Sequence, residues 1–331
     1  MMKRDMAAMA LATPGLRRLL AAALPGDGVV VLNYHRVGDS NASRYDRALW
    51  SASAEDFDDQ VGFLRSHCDV IALDDIGEAL RSRGRHVAIT FDDGYRDNHD
   101  IAYPVLRRHG VPAAFFIATG FIDQRLLPWW DAIAMQVRET SAASLDLAPW
   151  QAGSLALDGD RESAIRQVLG IYKRLSFDET GPFLERLAAE TGISPPASVD
   201  EEWMDWDMIR VLARGGMTIG GHTVTHPILS SLDEDAQRAE IDGCARRLRE
   251  ELGIAMTHFA YPVGSRTAFD DGTRRLLREA GVRQAFSFYG GVADGDSDMF
   301  DLQRIAVDRD IGRDLFRAMV ELPHVFCRQA A

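Results

Sequence analysis

Cysteine is scarce in this chain: Cys68, Cys244 and Cys327 are the only three in 331 residues, odd in number and widely spaced. That excludes a disulfide framework and the paired-cysteine spacing of structural zinc sites, and it points to reduced thiols in the cytoplasm. A basic stripe is missing too. With 37 Lys and Arg against 50 Asp and Glu the net charge is −13, which argues against a nucleic-acid binder and leaves room for a neutral or cationic sugar product. Nor does any apolar run reach the roughly 20 residues of a membrane span. The nearest approach follows Lys3 and Arg4, and Arg17 and Arg18 interrupt it before it resumes at 19–24, so neither a secretory core nor a span forms. Residues 16–24 read as a basic amphipathic helix, with peripheral contact at an inner membrane surface left open.

What is present is an ordinary globular composition, 46% hydrophobic and 26% charged, in a chain long enough for one barrel-sized domain with an insertion. Strand and helix patterns alternate from residue 29. Strands are expected at 29–33, 69–73, 87–91 and 112–118, with helices at 53–66, 74–83 and 98–109. From 123 to 203 the alternation stops, and helical spacing at 129–141, 160–175 and 178–191 reads as an insertion after the fourth strand, where loops of such folds accept extra structure. Alternation resumes with helices at 205–214, 233–252 and 270–280 and strands at 217–220, 257–261, 284–288 and 304–307. The organisation expected is an N-terminal helical segment (1–28), a barrel (29–122 and 203–312), a helical insertion (123–202) and a C-terminal helix or tail (313–331). The fold class is α/β, a parallel (β/α) barrel of seven or eight strands with helices outside.

The chemistry concentrates where strands end. Val87-Ala88-Ile89-Thr90-Phe91 runs into Asp92-Asp93-Gly94, a buried strand with two carboxylates at its tip, where like charges repel unless a cation or proton holds them. Met217 to Gly221 runs into His222-Thr-Val-Thr-His226-Pro227, two imidazoles four residues apart that can converge. One carboxylate with two imidazoles suits zinc, or cobalt or nickel, and leaves a position open for water. Tyr34-His35 and Tyr261-Pro262 also follow strands, so a barrel gathers all four stretches on its carboxyl-end rim. The residues alone leave open which aspartate binds the metal.

Thr90-Phe91-Asp92-Asp93-Gly94, His222-Thr-Val-Thr-His226-Pro227 and Phe259-Ala260-Tyr261-Pro262-Val263-Gly264 resemble, in order, the first three motifs of the polysaccharide deacetylases, carbohydrate esterase family 4. The resemblance covers about 29–123 and 203–307 and implies a distorted, usually seven-stranded barrel acting as a metal-dependent hydrolase. Its substrate would be an N-acetylated sugar of a polysaccharide or of its lipid-linked or oligosaccharide precursor. It implies Asp92 as general base, Asp93, His222 and His226 as metal ligands, and the Val263 backbone N–H as oxyanion donor.

Two departures stand out. The family's third motif commonly begins with an Arg that orients the catalytic aspartate; Ala260 stands here, with Arg266 or Arg304 as substitutes. The family's late Leu-x-His motif, whose histidine protonates the leaving amine, is replaced by Leu302-Gln303-Arg304, which leaves His35 or His258 as the acid. Tyr34, Tyr261 and Trp129, the last beside Trp130 and Asp131, are candidates for contact with the saccharide, since indole faces stack on sugar rings. Two other readings remain: a sugar-binding barrel without turnover, and a metal amidase acting on a small non-sugar amide. Glycoside hydrolysis is disfavoured, because its two carboxyls must flank the bond about 5 to 9 Å apart.

Overall fold

The computed structural model describes residues 28–326. The 16–24 helix and Cys327 lie outside them. Among the described residues no helix is long and apolar enough to cross a membrane.

By internal packing the described residues divide into two compact units, one holding 28–39, 48–123 and 202–326, the other holding 40–47 and 124–201. The first is the barrel. Its strands are β1 (Val29–Tyr34), β2 (His86–Phe91), β3 (Ala114–Ile117), β4 (Thr218–Gly221), β5 (His258–Ala260), β6 (Gln284–Ser287) and β7 (Leu302–Ala306). Each pairs in parallel with the next, and β7 returns to β1, closing a ring of seven in sequence order. The strand expected at 69–73 shrinks to Asp69–Val70 and stays outside this ring, flanking the start of β2. The physical reason is that β1 pairs with β2 along all six residues, from Val29 opposite His86 to Tyr34 opposite Phe91, so no slot remains between them. In the ring the insertion therefore follows the third strand.

Side chains alternate along a strand, and here one parity fills the barrel interior. Val29, Val31, Ala88, Ala114, Phe116, Ala260, Phe286 and Leu302 form one buried cluster. Continuing the same parity toward the carboxyl ends brings Asn33, Thr90, Asp92 and Arg304, all buried. The lumen is thus an apolar plug under a polar layer. Around it run α1 (Ala54–His67), opened by a Ser53 cap on the Asp56 N–H, and α2 (Tyr103–His109), ended by left-handed Gly110.

The second unit contains α3 (Trp129–Glu139), α4 (Arg161–Tyr172) and α5 (Phe177–Thr191). It also holds a two-stranded antiparallel ribbon, Ser144–Asp146 with Ser154–Ala156. Each ribbon strand is three residues long with one buried side chain, too short to show as alternation in the sequence. Asp131 is fully buried and accepts the Asp46 N–H at 2.9 Å. The barrel unit resumes with α6 (Trp206–Arg214), α7 (Glu234–Leu252), α8 (Asp271–Glu279) and α9 (Arg313–Glu321).

Candidate metal centre and catalytic rim

Asp92 is the first residue past β2 and points with Thr90 into the lumen. Arg304 of β7 meets it with two parallel hydrogen bonds, Nη1 to Oδ1 at 2.7 Å and Nη2 to Oδ2 at 2.8 Å, and Asn33 Nδ2 donates to Oδ2 at 2.9 Å. Arg304 is itself fully buried and spends its Nε on the Ser287 carbonyl at 3.2 Å. Burial pushes the Asp92 carboxyl up, but the charge of Arg304, then that of His222, and the Arg304 hydrogen bonds outweigh it. Asp92 is held well below the usual carboxylate range, ionised and fixed in orientation. Of the two arginines named as substitutes, Arg304 is the one that meets Asp92. Arg266 lies instead over the Tyr289 ring, 4.4 Å from its centroid.

Asp93 would face away from its neighbour on a regular strand. A positive φ of 74° turns it back toward the histidines. Its Oδ1 lies 3.4 Å from His222 Nε2 and 3.5 Å from His226 Nε2, is buried, and among the described residues accepts no hydrogen bond. Ligand atoms of these three residues all fall within 4.8 Å of one another. Two atoms bound to one tetrahedral zinc at about 2.1 Å stand about 3.4 Å apart, so the donor set and its spacing fit a divalent ion. His222 Nδ1 donates to the Ala260 carbonyl at 2.8 Å, which fixes the tautomer and leaves Nε2 as the donor atom facing Asp93. Burial lowers the His226 imidazole, helped by the charge of His222, to about 3, so it stands neutral. Burial works the same way on His222, but the charges of Asp92 and Asp93 override it and raise its pKa.

Backbone strain gathers at the same place. Asp93, Thr223, His226 and Val263 are four of the five non-glycine residues with positive φ among those described, at 74°, 67°, 60° and 61°. Each costs about 1 kcal/mol or more, which surrounding contacts must offset. The Val263 turn is closed by Gly264 N donating to the Pro262 carbonyl at 2.6 Å, while among the described residues the Val263 N–H has no acceptor. His35, just past β1, is held by its backbone: its N–H donates to Ser51 Oγ at 3.0 Å and its carbonyl accepts from Asn98 Nδ2 at 2.6 Å. Its Nε2 is 4.0 Å from Asp92 Oδ2 and its side chain is 19% exposed, whereas the His222 and His226 side chains are buried. Beside it Arg36 lies between the Trp50 and Tyr95 rings, 3.9 and 4.3 Å from their centroids, and pairs with Asp97 at 2.8 Å and Glu202 at 2.7 Å.

Residues 80–147 and 153–285 match the sequence family described as polysaccharide deacetylase. The chain belongs to the polysaccharide deacetylase family. The poly-β-1,6-N-acetyl-D-glucosamine N-deacetylase of Staphylococcus aureus is 32% identical over 113 residues, 30% of this chain and 38% of that protein, so the match spans well under half of the relative. Several solved structures share the fold across 89% of this chain, among them the following two. The Streptococcus pyogenes deacetylase PplD, in complex with acetate, superposes over 99% of its chain with a TM-score of 0.59 at 16% identity. IcaB from Ammonifex degensii superposes over 97% with a TM-score of 0.54 at 21% identity.

Within this deacetylase-family barrel, several expected residues stand elsewhere. Tyr34 is fully buried beside Phe57 and Phe91, its hydroxyl donating to Gln60 at 2.9 Å, and burial raises its pKa. Tyr261 is stacked on Phe269 at 3.8 Å with its hydroxyl donating to the Phe300 carbonyl at 2.8 Å. Both phenols are buried with their hydroxyls hydrogen-bonded inside the barrel unit, because an aromatic at a strand end satisfies the core as readily as the rim. His258 opens β5, at the end of the strand away from the rim, 3.5 Å from Asp74. Trp129 stacks on Tyr172 of its own unit at 4.3 Å. Asn33, which holds Asp92, is a residue that the sequence reading does not single out, although it shares the parity of Val29 and Val31, which is a readable signal.

Proposed function

We propose that this chain is a metal-dependent de-N-acetylase of an amino-sugar polysaccharide or its precursor, with zinc as the ion. The observation that carries this reading is the meeting of Asp93, His222 and His226 around one point beside an oriented, ionised Asp92. The curated relative that acts on poly-β-1,6-N-acetyl-D-glucosamine supports that substrate class. Asp93 and the two Nε2 atoms would hold the ion, which when bound supplies an acidified water and a polarised acetyl carbonyl. Asp92 takes the proton of the attacking water as its oxygen bonds to the carbonyl carbon. The Val263 N–H donates to the oxygen that gains negative charge. His35 gives a proton to the sugar nitrogen as the C–N bond breaks, and acetate and a free amine leave. Arg304 and Asn33 keep Asp92 charged and aimed throughout. A cytoplasmic setting belongs to the same proposal and is checked by cell fractionation.

The test is acetate release from N-acetylglucosamine oligomers of β-1,6 and β-1,4 linkage, with Asp92→Asn as the control. The reading predicts release abolished by the substitution. A protein that binds the oligomers without releasing acetate is the sugar-binding barrel instead, and preference for a small non-sugar amide over every oligomer makes it an amidase.

A further inference from the structure

The loop carrying both histidine ligands is held from outside by one carboxylate. Glu240, on α7, accepts the backbone N–H of Val224 and that of Thr225 through Oε2, both at 2.8 Å, and the Thr225 hydroxyl through Oε1 at 2.6 Å. These three donors lie between His222 and His226, in a segment where Thr223 and His226 both adopt positive φ. Two close approaches complete the cradle. Gly120 N donates to the Val224 carbonyl at 2.8 Å, and a Cβ on Gly120 would stand 2.6 Å from that oxygen. A Cβ on Gly243, one turn along α7 from Glu240, would stand 2.8 Å from the Val224 side chain. From inside, Thr223 Oγ1 accepts the His226 N–H at 2.9 Å.

We infer that Glu240 is a positioning residue for the metal centre: by capping the Val224 and Thr225 amides it presets the loop so that His226 Nε2 meets His222 Nε2 and Asp93 before any ion arrives. This rests on the metal-dependent reading above. A surface glutamate on a helix needs no such set of partners, and the strained conformation of the loop needs something to satisfy its outward amides. These hydrogen bonds of Glu240 reach none of the Asp93, His222 and His226 ligand atoms, so its effect must pass through the loop.

The experiment titrates zinc into the full chain against a chromophoric chelator, for the wild type, Glu240→Ala and Glu240→Gln, with Tm measured on each. Cobalt(II) absorption is recorded in parallel as a reporter of ligand geometry. Removing an outer partner of a metal ligand typically weakens binding about 10–100-fold. Glu240→Ala should lose zinc affinity by that factor and shift or broaden the cobalt bands. Glu240→Gln, whose amide oxygen still accepts both backbone N–H groups, should return affinity to within about threefold of wild type. Should Glu240→Ala fail to fold, Thr225→Val and Glu240→Gln carry the comparison, with a loss of a few-fold expected for the former. Wild-type affinity and spectrum in Glu240→Ala would overturn the inference, as would Gln proving as damaging as Ala. A wild type that binds no zinc would instead overturn the proposed function.

Discussion

Replacing Arg304 with methionine isolates the role of the buried pair. The substitution keeps the stem volume and removes two charge-assisted hydrogen bonds of 2.7 and 2.8 Å to Asp92. Asn33 Nδ2 is then the carboxylate's nearest remaining side-chain donor. Breaking a buried pair from one side costs about 3–5 kcal/mol, because the surviving charge is left uncompensated. The sign of the pH dependence follows from the same contacts. In the wild type Asp92 sits below its unfolded value of roughly 3.9, so its contribution is present above that pH and is lost as pH falls through the folded value. In the variant burial dominates and the carboxyl rises, so its penalty is greatest near neutrality and relaxes as acid protonates it. Urea unfolding of Arg304→Met should therefore show a deficit of about 3–5 kcal/mol at pH 7 that narrows toward pH 4, with the acid limb of acetate release moved up. The double variant with Asp92→Asn should recover much of the deficit, since no charge remains to strand. A deficit below about 1 kcal/mol at pH 7, equal at both pH values, would refute the reasoning.

Asp93→Ala, His222→Ala or His226→Ala should each abolish tight metal binding and lower acetate release on the order of a thousandfold, several kcal/mol of transition-state stabilisation, read by elemental analysis and rate together. Because His222 is raised above its ordinary 6.5, metal binding near neutral pH should expel a proton and weaken as pH falls through that raised value; calorimetry in buffers of different ionisation enthalpy reads the proton, and its absence counts against His222 as a ligand. His35→Asn should lower kcat about 10²–10⁴-fold on N-acetyl substrates yet hardly affect p-nitrophenyl acetate, whose leaving group needs no proton; equal losses on both would remove His35 as the acid. With its ring stacked on Tyr172, Trp129→Ala should lower Tm and leave KM for short oligomers within about twofold, whereas a tenfold KM rise at unchanged Tm would restore it as a saccharide wall.

Periodicity decides which parts of the fold are legible in the sequence. Strand tips announce themselves, because an apolar run ending in Asp92-Asp93 or His222 leaves few alternatives to a polar rim, and the ring of parallel strands follows from alternation. Ring membership does not: residues 69–73 have a strand's composition, yet only pairing partners decide that β1 bonds β2 directly. Arg304 was legible in principle, two residues beyond Leu302 on the lumen face, once the strand's phase was known. Tyr34 follows its strand's other phase: its parity is that of Val30 and Leu32, away from the Val29, Val31 and Asn33 face, and its ring meets Phe57 and Phe91. The short Ser144–Asp146 ribbon and the 40–47 segment of the second unit give no pattern, since three-residue strands and irregular loops are set by tertiary contacts.

The most direct measurement is acetate release from an N-acetylglucosamine oligomer by protein stripped with chelator and then titrated with zinc. The account predicts that activity vanishes on stripping and returns with a break at one zinc per chain, in wild type but not in Asp93→Ala. Full turnover by the stripped protein, or restoration of Asp93→Ala by zinc at wild-type affinity, would contradict it.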